Sequence, residues 1–335
     1  MKHRRWMAIP GALVAATLTL AACVTARVVL PAAPVAGGPA VAVQTAPVPL
    51  DPADPTRTAI GDFRYAGGVA VSSVETSRLH GLSDLILSPG GRITAVSDDG
   101  DLFTASLTFD AAGRLAGVTD AALRPLMGAD GKALQGKDSG DAEGLTILGD
   151  GEIMVSFERS HRIWRYPTGA GRRPVPVAMP AADMSGQRNN NGMEGLAAAP
   201  SISADGYWVG IEPGSIWFCR LQIDCKDIAG LPGPPAGFRL SSLTTGPGGE
   251  LVVLHHSYLP GTGSRIQVTI VADPKVSPRV IGRFAMSPSS TVDNFEGIAV
   301  EQRSGGDWRI YLLSDDNFSA SQRTLLIAFD WTPPK

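Results

Sequence analysis

Three short words in the chain carry possible chemistry: Glu143-Gly144-Leu145, Glu194-Gly195-Leu196 and Glu296-Gly297-Ile298. His80-Gly81-Leu82 reads as a relative, and Ser241-Ser242-Leu243 as a worn copy. Downstream of each word stands a polar turn or strand end: Asp98-Asp99, Glu158-Arg159, Glu212, His255-His256 and Asp315-Asp316-Asn317. If folding gathers these positions, many carboxylates share one place. Two carboxylates ~6 Å apart repel by about 3 kcal/mol at an effective dielectric of about 20. Such a cluster must take up protons, pair with Arg or bind a cation. Carboxylate and amide oxygens suit Ca²⁺ or Mg²⁺ better than zinc or copper. The expected metal ligands are Glu143, Glu194, Glu296 and Asp315, with Asn191, Asn294 and Asn317 as sources of neutral oxygens. Glu158 or Glu212 could act as general base, and Arg159 or His255 could steady developing charge. Adjacent strand residues point to opposite faces, so at most one of His255 and His256 faces the cluster.

The same pattern has a structural explanation. A Glu at a strand head can bond to the backbone N–H groups of a neighbouring sheet. A Gly there can serve close approach or an unusual backbone angle. A repeated word fits either explanation, because every repeat meets the same neighbour.

The elements that must position these residues follow from the repeat. The second positions of the five words are 81, 144, 195, 242 and 297, giving separations of 63, 51, 47 and 55. After Glu143 come the apolar run Leu145–Leu148, the turn residues Gly149-Asp150-Gly151, the run Ile153–Phe157, and the alternating Arg162–Tyr166. Strand, hairpin turn, strand, turn, half-buried strand is the order this predicts. Val175–Ala178 is interrupted by Pro176 and suits only an edge. The same order recurs after Gly81, after Gly248-Gly249 and after Glu296. Four short antiparallel strands repeating at about 50 residues describe β-propeller blades, which bury their faces only against one another. The expected fold is therefore all-β, a propeller of about five four-stranded blades. The stretch 128–141 leaves room for a sixth. The last repeat lacks a fourth strand, and residues 63–71 could supply it, closing the ring with an N-terminal strand.

Residues 1–22 read as an export signal, with Lys2, Arg4 and Arg5 preceding an apolar stretch too short to span a bilayer. The stretch ends in Leu20-Ala21-Ala22-Cys23, which resembles the lipobox of bacterial lipoproteins and implies lipid attachment at Cys23. An ordinary signal peptide that happens to contain a Cys is the alternative. Val24 follows, and by the same resemblance an outer-membrane anchor facing the periplasm is expected rather than inner-membrane retention. Residues 23–59 are rich in Ala, Val and Pro and read as a tether, so the folded domain is expected to span 60–335. In an oxidising compartment Cys219 and Cys225, six apart, could form a disulfide or remain two buried thiols.

Composition excludes several classes. With 29 Lys+Arg against 32 Asp+Glu the net charge is −3, so no basic surplus exists to bind nucleic acid. With 39 Gly and 26 Pro among 335 residues, the chain is no coiled coil. At 44% hydrophobic it can bury a core.

Asp141-Ala142-Glu143-Gly144-Leu145, Asn191-Gly192-Met193-Glu194-Gly195-Leu196, Asn294-Phe295-Glu296-Gly297-Ile298 and the Ser314-Asp315-Asp316-Asn317 turn together resemble the bacterial phytase-like family, "esterase-like activity of phytase". The resemblance covers roughly residues 60–331. It implies ester or phosphoester hydrolysis and maps the family's recurrent acids onto Glu143, Glu194 and Glu296. Ser241-Ser242-Leu243 departs from the pattern by lacking the Glu. Neither Gly-x-Ser-x-Gly nor His-Glu-x-x-His occurs, so neither a serine elbow nor a zincin site is supported. Two functions compete: a periplasm-facing hydrolase, and a non-catalytic envelope lipoprotein binding a ligand or protein partner. The partners expected are a small ester or phosphoester and, through the lipid, a membrane. The chain is expected to be a monomer and to bind no nucleic acid.

Overall fold

The computed structural model describes residues 40–180 and 192–334. The export signal, Cys23 and Asn191 lie outside the described residues. Among the described residues no helix is long and apolar enough to cross a membrane.

Five antiparallel sheets of four strands make the domain, which is a β-propeller. Blade I comprises Leu82–Ser88, Arg92–Ser97, Asp101–Phe109 and Leu115–Pro125. Blade II comprises Ala142–Ile147, Ile153–Phe157, Arg162–Tyr166 and the two-residue edge Val175–Pro176. The proline occupies an outermost strand, where the missing N–H breaks no ladder. Blade III comprises Met193–Ala198, Gly206–Ile211, Ile216–Arg220 and Cys225–Asp227. Cys219 and Cys225 face each other on its two outer strands and are joined by a disulfide. Blade IV comprises Arg239–Thr245, Leu251–Leu259, Gly263–Ala272 and Arg279–Met286. Blade V comprises Asn294–Gln302, Trp308–Asp315 and Thr324–Trp331, and its fourth strand is Phe63–Ser72, paired antiparallel with Leu325 opposite Ala70. One parallel bridge, Gly67 to Leu115, joins the outer edges of blades V and I. The two ends of the domain thus meet in one sheet.

The innermost strand of every blade neighbours the innermost strands of the next and the previous blade, and the series returns from blade V to blade I. Five apolar clusters match the five blade interfaces. Ile86 and Val96 meet Leu145, Val155 and Phe157 between I and II. Met154 and Ile163 meet Met193, Leu196 and Tyr207 between II and III. Trp208 and Phe218 meet Leu240, Leu243 and Val253 between III and IV. Leu254 and Ile266 meet Phe295, Ile298 and Ile310 between IV and V. Leu313 and Leu326 meet Leu82, Leu85 and Ile93 between V and I. Each blade buries its two faces only because it has two neighbours.

Two expectations change. Residues 128–141 do not form a sixth blade. They make a turn closed by the Met127–Ala133 bridge and a single helical turn, Lys137–Gly140. Residues 40–59, read from their prolines as tether, lie against the domain. Gln44–Pro47 pairs with Phe63–Ser72, Leu50 is buried in the blade IV–V cluster, and Thr291 donates its N–H to the Leu50 carbonyl at 2.7 Å. Proline prevents a central strand there but not an edge strand, and it leaves the carbonyls free to accept.

Candidate functional site

The site is built from one irregularity repeated five times. In blades I, III, IV and V the inner strand carries a β-bulge, where Ser83, Glu194, Ser241 and Glu296 are left out of the pairing ladder. In blade II the ladder lapses over Glu143-Gly144. A bulge re-aims one side chain and twists the strand. Here the five re-aimed residues, Ser83, Glu143, Glu194, Ser241 and Glu296, all line one cavity of about 160 Å³. This corrects the register of the first repeat: its copy of the word is Ser83-Asp84-Leu85, not His80-Gly81-Leu82. Ser241-Ser242-Leu243 does occupy the repeat position in blade IV.

The residue after each bulge explains the glycine. A Cβ on Gly144 would lie 3.0 Å from the Leu196 nitrogen, and one on Gly195 would lie 2.7 Å from the Leu243 nitrogen. On Gly297 it would lie 3.1 Å from the Asp84 Cα. Glycine is required because the backbones of successive inner strands nearly touch.

Blade I places Asp84 in that slot, and Asp84 ties the ring together. It is buried and accepts from Leu85 N at 2.9 Å, Leu145 N of blade II at 2.8 Å and Ser242 Oγ of blade IV at 2.9 Å. Burial pushes its pKa up, against these donors and the Ile298 N–H of blade V, which favour the carboxylate. Other blade-to-blade ties run through hydroxyls. Ser156 Oγ donates to the Met193 carbonyl at 2.6 Å, Thr146 Oγ1 accepts from Ala198 N at 2.8 Å, and Ser241 Oγ reaches the Phe295 carbonyl at 3.3 Å.

A second ring comes from the second strand of each blade or the residue directly after it, at the place facing the position two before the bulge: Asp98, Glu158, Glu212, His256 and Asp315. All five line the cavity with the bulge residues. The structure therefore brings together Glu143, Glu194, Glu296, Asp315, Glu158 and Glu212, as the repeat implied. Two sequence candidates fall elsewhere. His255 points away from the cavity and is 1% exposed, and burial beside Arg283 pushes its pKa down to about 4. Its neighbour His256 lines the cavity instead, with Nδ1 3.0 Å from Asn294 Oδ1. Arg159 is not among the lining residues; it pairs with Asp141 at 2.6 Å.

Electrostatics dominate the cavity. Burial raises the Glu143 carboxyl well above its usual range, and the nearby Glu194 and Glu158 add to this. Glu194 is raised by burial and then by Glu158, and Glu296 by burial and then by Asp315. Burial pushes Asp98 up to about 7, opposed by Lys137, and Asp315 up to about 8. Glu158 is pushed up to about 7 and is hydrogen-bonded to Glu194. That hydrogen bond raises Glu194 further and opposes the rise of Glu158.

The oxygens fit a hard cation. Ligand atoms of Asp141, Glu143 and Glu158 lie within 4.8 Å of one another. Oxygens bound to one Ca²⁺ at roughly 2.4 Å each are at most about 4.8 Å apart. Among the described residues no other three acidic, histidine or cysteine side chains meet this spacing. Of the expected metal ligands Glu143 belongs to this compact trio, together with Glu158, while Glu194, Glu296 and Asp315 lie outside it. Asp141, which stands in the sequence only as part of the first motif, was not singled out as a ligand because it precedes the repeated word by two residues. The buried Asp98 Oδ1 and Asp141 Oδ1 have no hydrogen-bond partner. Lys137 was also missed, although it lines the cavity from the helical turn in the unassigned stretch.

No curated protein matches the chain. Among solved structures it is similar to virginiamycin B lyase from Staphylococcus aureus at 12% identity, over 87% of this chain and 89% of that one, with a TM-score of 0.38. A protein from Lactobacillus plantarum is similar at 13% identity over 82% and 83%, with a TM-score of 0.36. A protein of unknown function from Bacteroides caccae is similar at 10% identity over 74% and 79%, with a TM-score of 0.37. The family described as "esterase-like activity of phytase" matches residues 77–318, which hold all five bulges and both rings, and the chain belongs to this phytase-like family.

Proposed function

We propose that the protein is an exported, lipid-anchored hydrolase of esters or phosphoesters, acting at the acidic cavity with a divalent cation, Ca²⁺ or Mg²⁺. One observation carries the reading. Glu143, Glu194 and Glu296, re-aimed by the bulges, converge on one cavity with Asp98, Glu158, Glu212 and Asp315, while backbone groups of neighbouring blades are tied by Asp84, Ser156, Thr146, Ser241 and Thr245. A ring of buried, mutually repelling carboxylates held at bulges calls for protons or a cation.

Asp141, Glu143 and Glu158 would hold the cation. When bound, the cation polarises a phosphoryl or acyl oxygen and acidifies a water molecule. Burial and the neighbouring Glu158 raise Glu194, which favours the protonated form a general acid needs. Burial raises Glu212, but Arg239 at 3.0 Å opposes this and favours the ionised form that a general base needs. Lys137, Arg159 and Arg239 each pair with a carboxylate of the site and supply positive charge for an anionic group. Apart from such cations the cavity repels phosphate.

The test is hydrolysis of a nitrophenyl ester and a phosphodiester, with chelator or with Ca²⁺. The expected result is Ca²⁺-dependent turnover that falls about 100-fold or more in Glu143→Gln and Glu194→Gln, with melting temperature kept. Absence of turnover on both classes, with melting indifferent to Ca²⁺, would favour the non-catalytic binding protein. Export is supported by the Cys219–Cys225 disulfide, which suits an oxidising compartment. A periplasm-facing outer-membrane anchor at Cys23 predicts that Cys23→Ala moves the protein to the soluble fraction.

A further inference from the structure

We infer that Lys137 is a tethered counter-ion whose ammonium competes with the divalent cation for the Asp141 carboxylate, and so sets the site's cation affinity. This rests on the cation reading above and concerns a residue outside both rings.

Geometry carries the inference. The Lys137 Nζ lies 2.5 Å from Asp98 Oδ2 and 3.7 Å from Asp141 Oδ1. Asp141 is one of the three groups with cation spacing. It is 2% exposed, and its Oδ1 has no hydrogen bond. The Asp98 Oδ1, 4% exposed as a residue, is likewise without a partner. Arg159 takes the other Asp141 oxygen at 2.6 Å, so the Lys137 ammonium stands between two buried carboxylates whose Oδ1 atoms both lack a hydrogen bond. A divalent ion accepting several oxygens would complete what a single ammonium does not.

The segment that carries Lys137 is fixed, while its side chain reaches partly into solvent. Gly140 packs so closely on Gly100 that a Cβ on Gly140 would lie 3.0 Å from the Gly100 Cα. The Gly140 N–H donates to the Gly136 carbonyl at 2.8 Å. The Arg162 guanidinium stacks on Phe157 at 3.8 Å and on Trp164 at 4.3 Å, and it donates to the Ser139 carbonyl. The backbone is thus clamped by blades I and II. The Lys137 side chain is 43% exposed, and its Nζ stands 5.5 Å from the Phe318 ring centroid. Displaced from Asp141, the ammonium can turn towards solvent and that ring without refolding the loop. In the cation-free protein it offsets part of the carboxylate repulsion, and on loading it yields Asp141.

The experiment is calorimetric titration of chelator-treated full-length chain with Ca²⁺, comparing wild type, Lys137→Met, Lys137→Arg and Glu143→Gln. The expected result is that Lys137→Met binds about tenfold tighter than wild type, Lys137→Arg stays near wild type, and Glu143→Gln binds weakly or not at all. Equal or weaker binding by Lys137→Met, with Glu143→Gln still defective, would overturn the competition and leave the cation reading standing. Binding by none of the four proteins, with melting unchanged by Ca²⁺, would overturn both.

Discussion

Asp84 shows how one side chain can hold a ring. It occupies the slot that is glycine in three blades, and its carboxylate faces donors from blades I, II and IV within 2.9 Å. Replacing it leaves buried N–H and O–H groups without an acceptor, at about 1–3 kcal/mol each. Asp84→Ala is therefore expected to lose on the order of 3 kcal/mol or more, read by chemical denaturation. Asp84→Asn keeps one carbonyl acceptor and should lose less. If Asp84→Ala unfolds with the wild-type midpoint, the axial tie has no energetic role. The carboxylates of the cavity differ in kind. They are raised by burial and by one another, so their mutual repulsion opposes folding unless a cation or protons answer it.

At the scale of the element, the bulge and the following glycine act as a unit. The bulge turns a Glu into the channel, and the glycine lets the next inner strand approach. Gly195→Ala would place a methyl 2.7 Å from the Leu243 nitrogen and 2.8 Å from the Leu243 Cγ. Backbone must shift to admit it, so a loss of about 2 kcal/mol is expected. Gly149→Ala meets nothing within 4 Å in its turn and should change stability by less than about 1 kcal/mol. Thermal melts of the two variants side by side check the contrast. Equal melting temperatures would mean that the close approach of blades III and IV is dispensable.

For the whole molecule, the acidic rings make stability depend on pH. Histidines of the unfolded chain titrate at about 6.5 and are mostly neutral above about 7.5. Burial lowers His80, His255 and His256 in the folded protein, so their opposing contribution fades across the window from about 6.5 to 8. Asp98 and Glu158, up to about 7, and Asp315, up to about 8, still hold protons there in the folded protein. In the unfolded chain carboxyls are ionised above about 5. The folded state thus binds more protons, and stability must fall as pH rises through this window, by up to about 1.4 kcal/mol per pH unit for each such group. With chelator present, the melting temperature should drop from pH 6.5 to pH 8. Saturating Ca²⁺ should flatten the slope, because the ion stabilises the ionised forms. A melting temperature that rises with pH in chelator would contradict the assigned burial of these acids.

The recurrence of Glu-Gly-Leu, the turn residues and the strand runs determined the blade count near five and named all seven of the acids lining the cavity. They did so because local period and turn chemistry are properties of neighbouring residues. The sequence also carried the Ser241-Ser242 copy, yet it misread the first repeat, because Asp84 stands where glycine was the signal and Gly81 lay three residues away. Only the tertiary structure decided which residues meet. The pairing register showed Ser83 and Asp84 as the true equivalents, and strand direction sent His256 rather than His255 to the cavity. Contacts across blades brought Asp141 beside Glu143 and Glu158, and the clamp between blades I and II delivered Lys137. Distances between residues far apart in the chain are set by how sheets pack, and no local pattern encodes them.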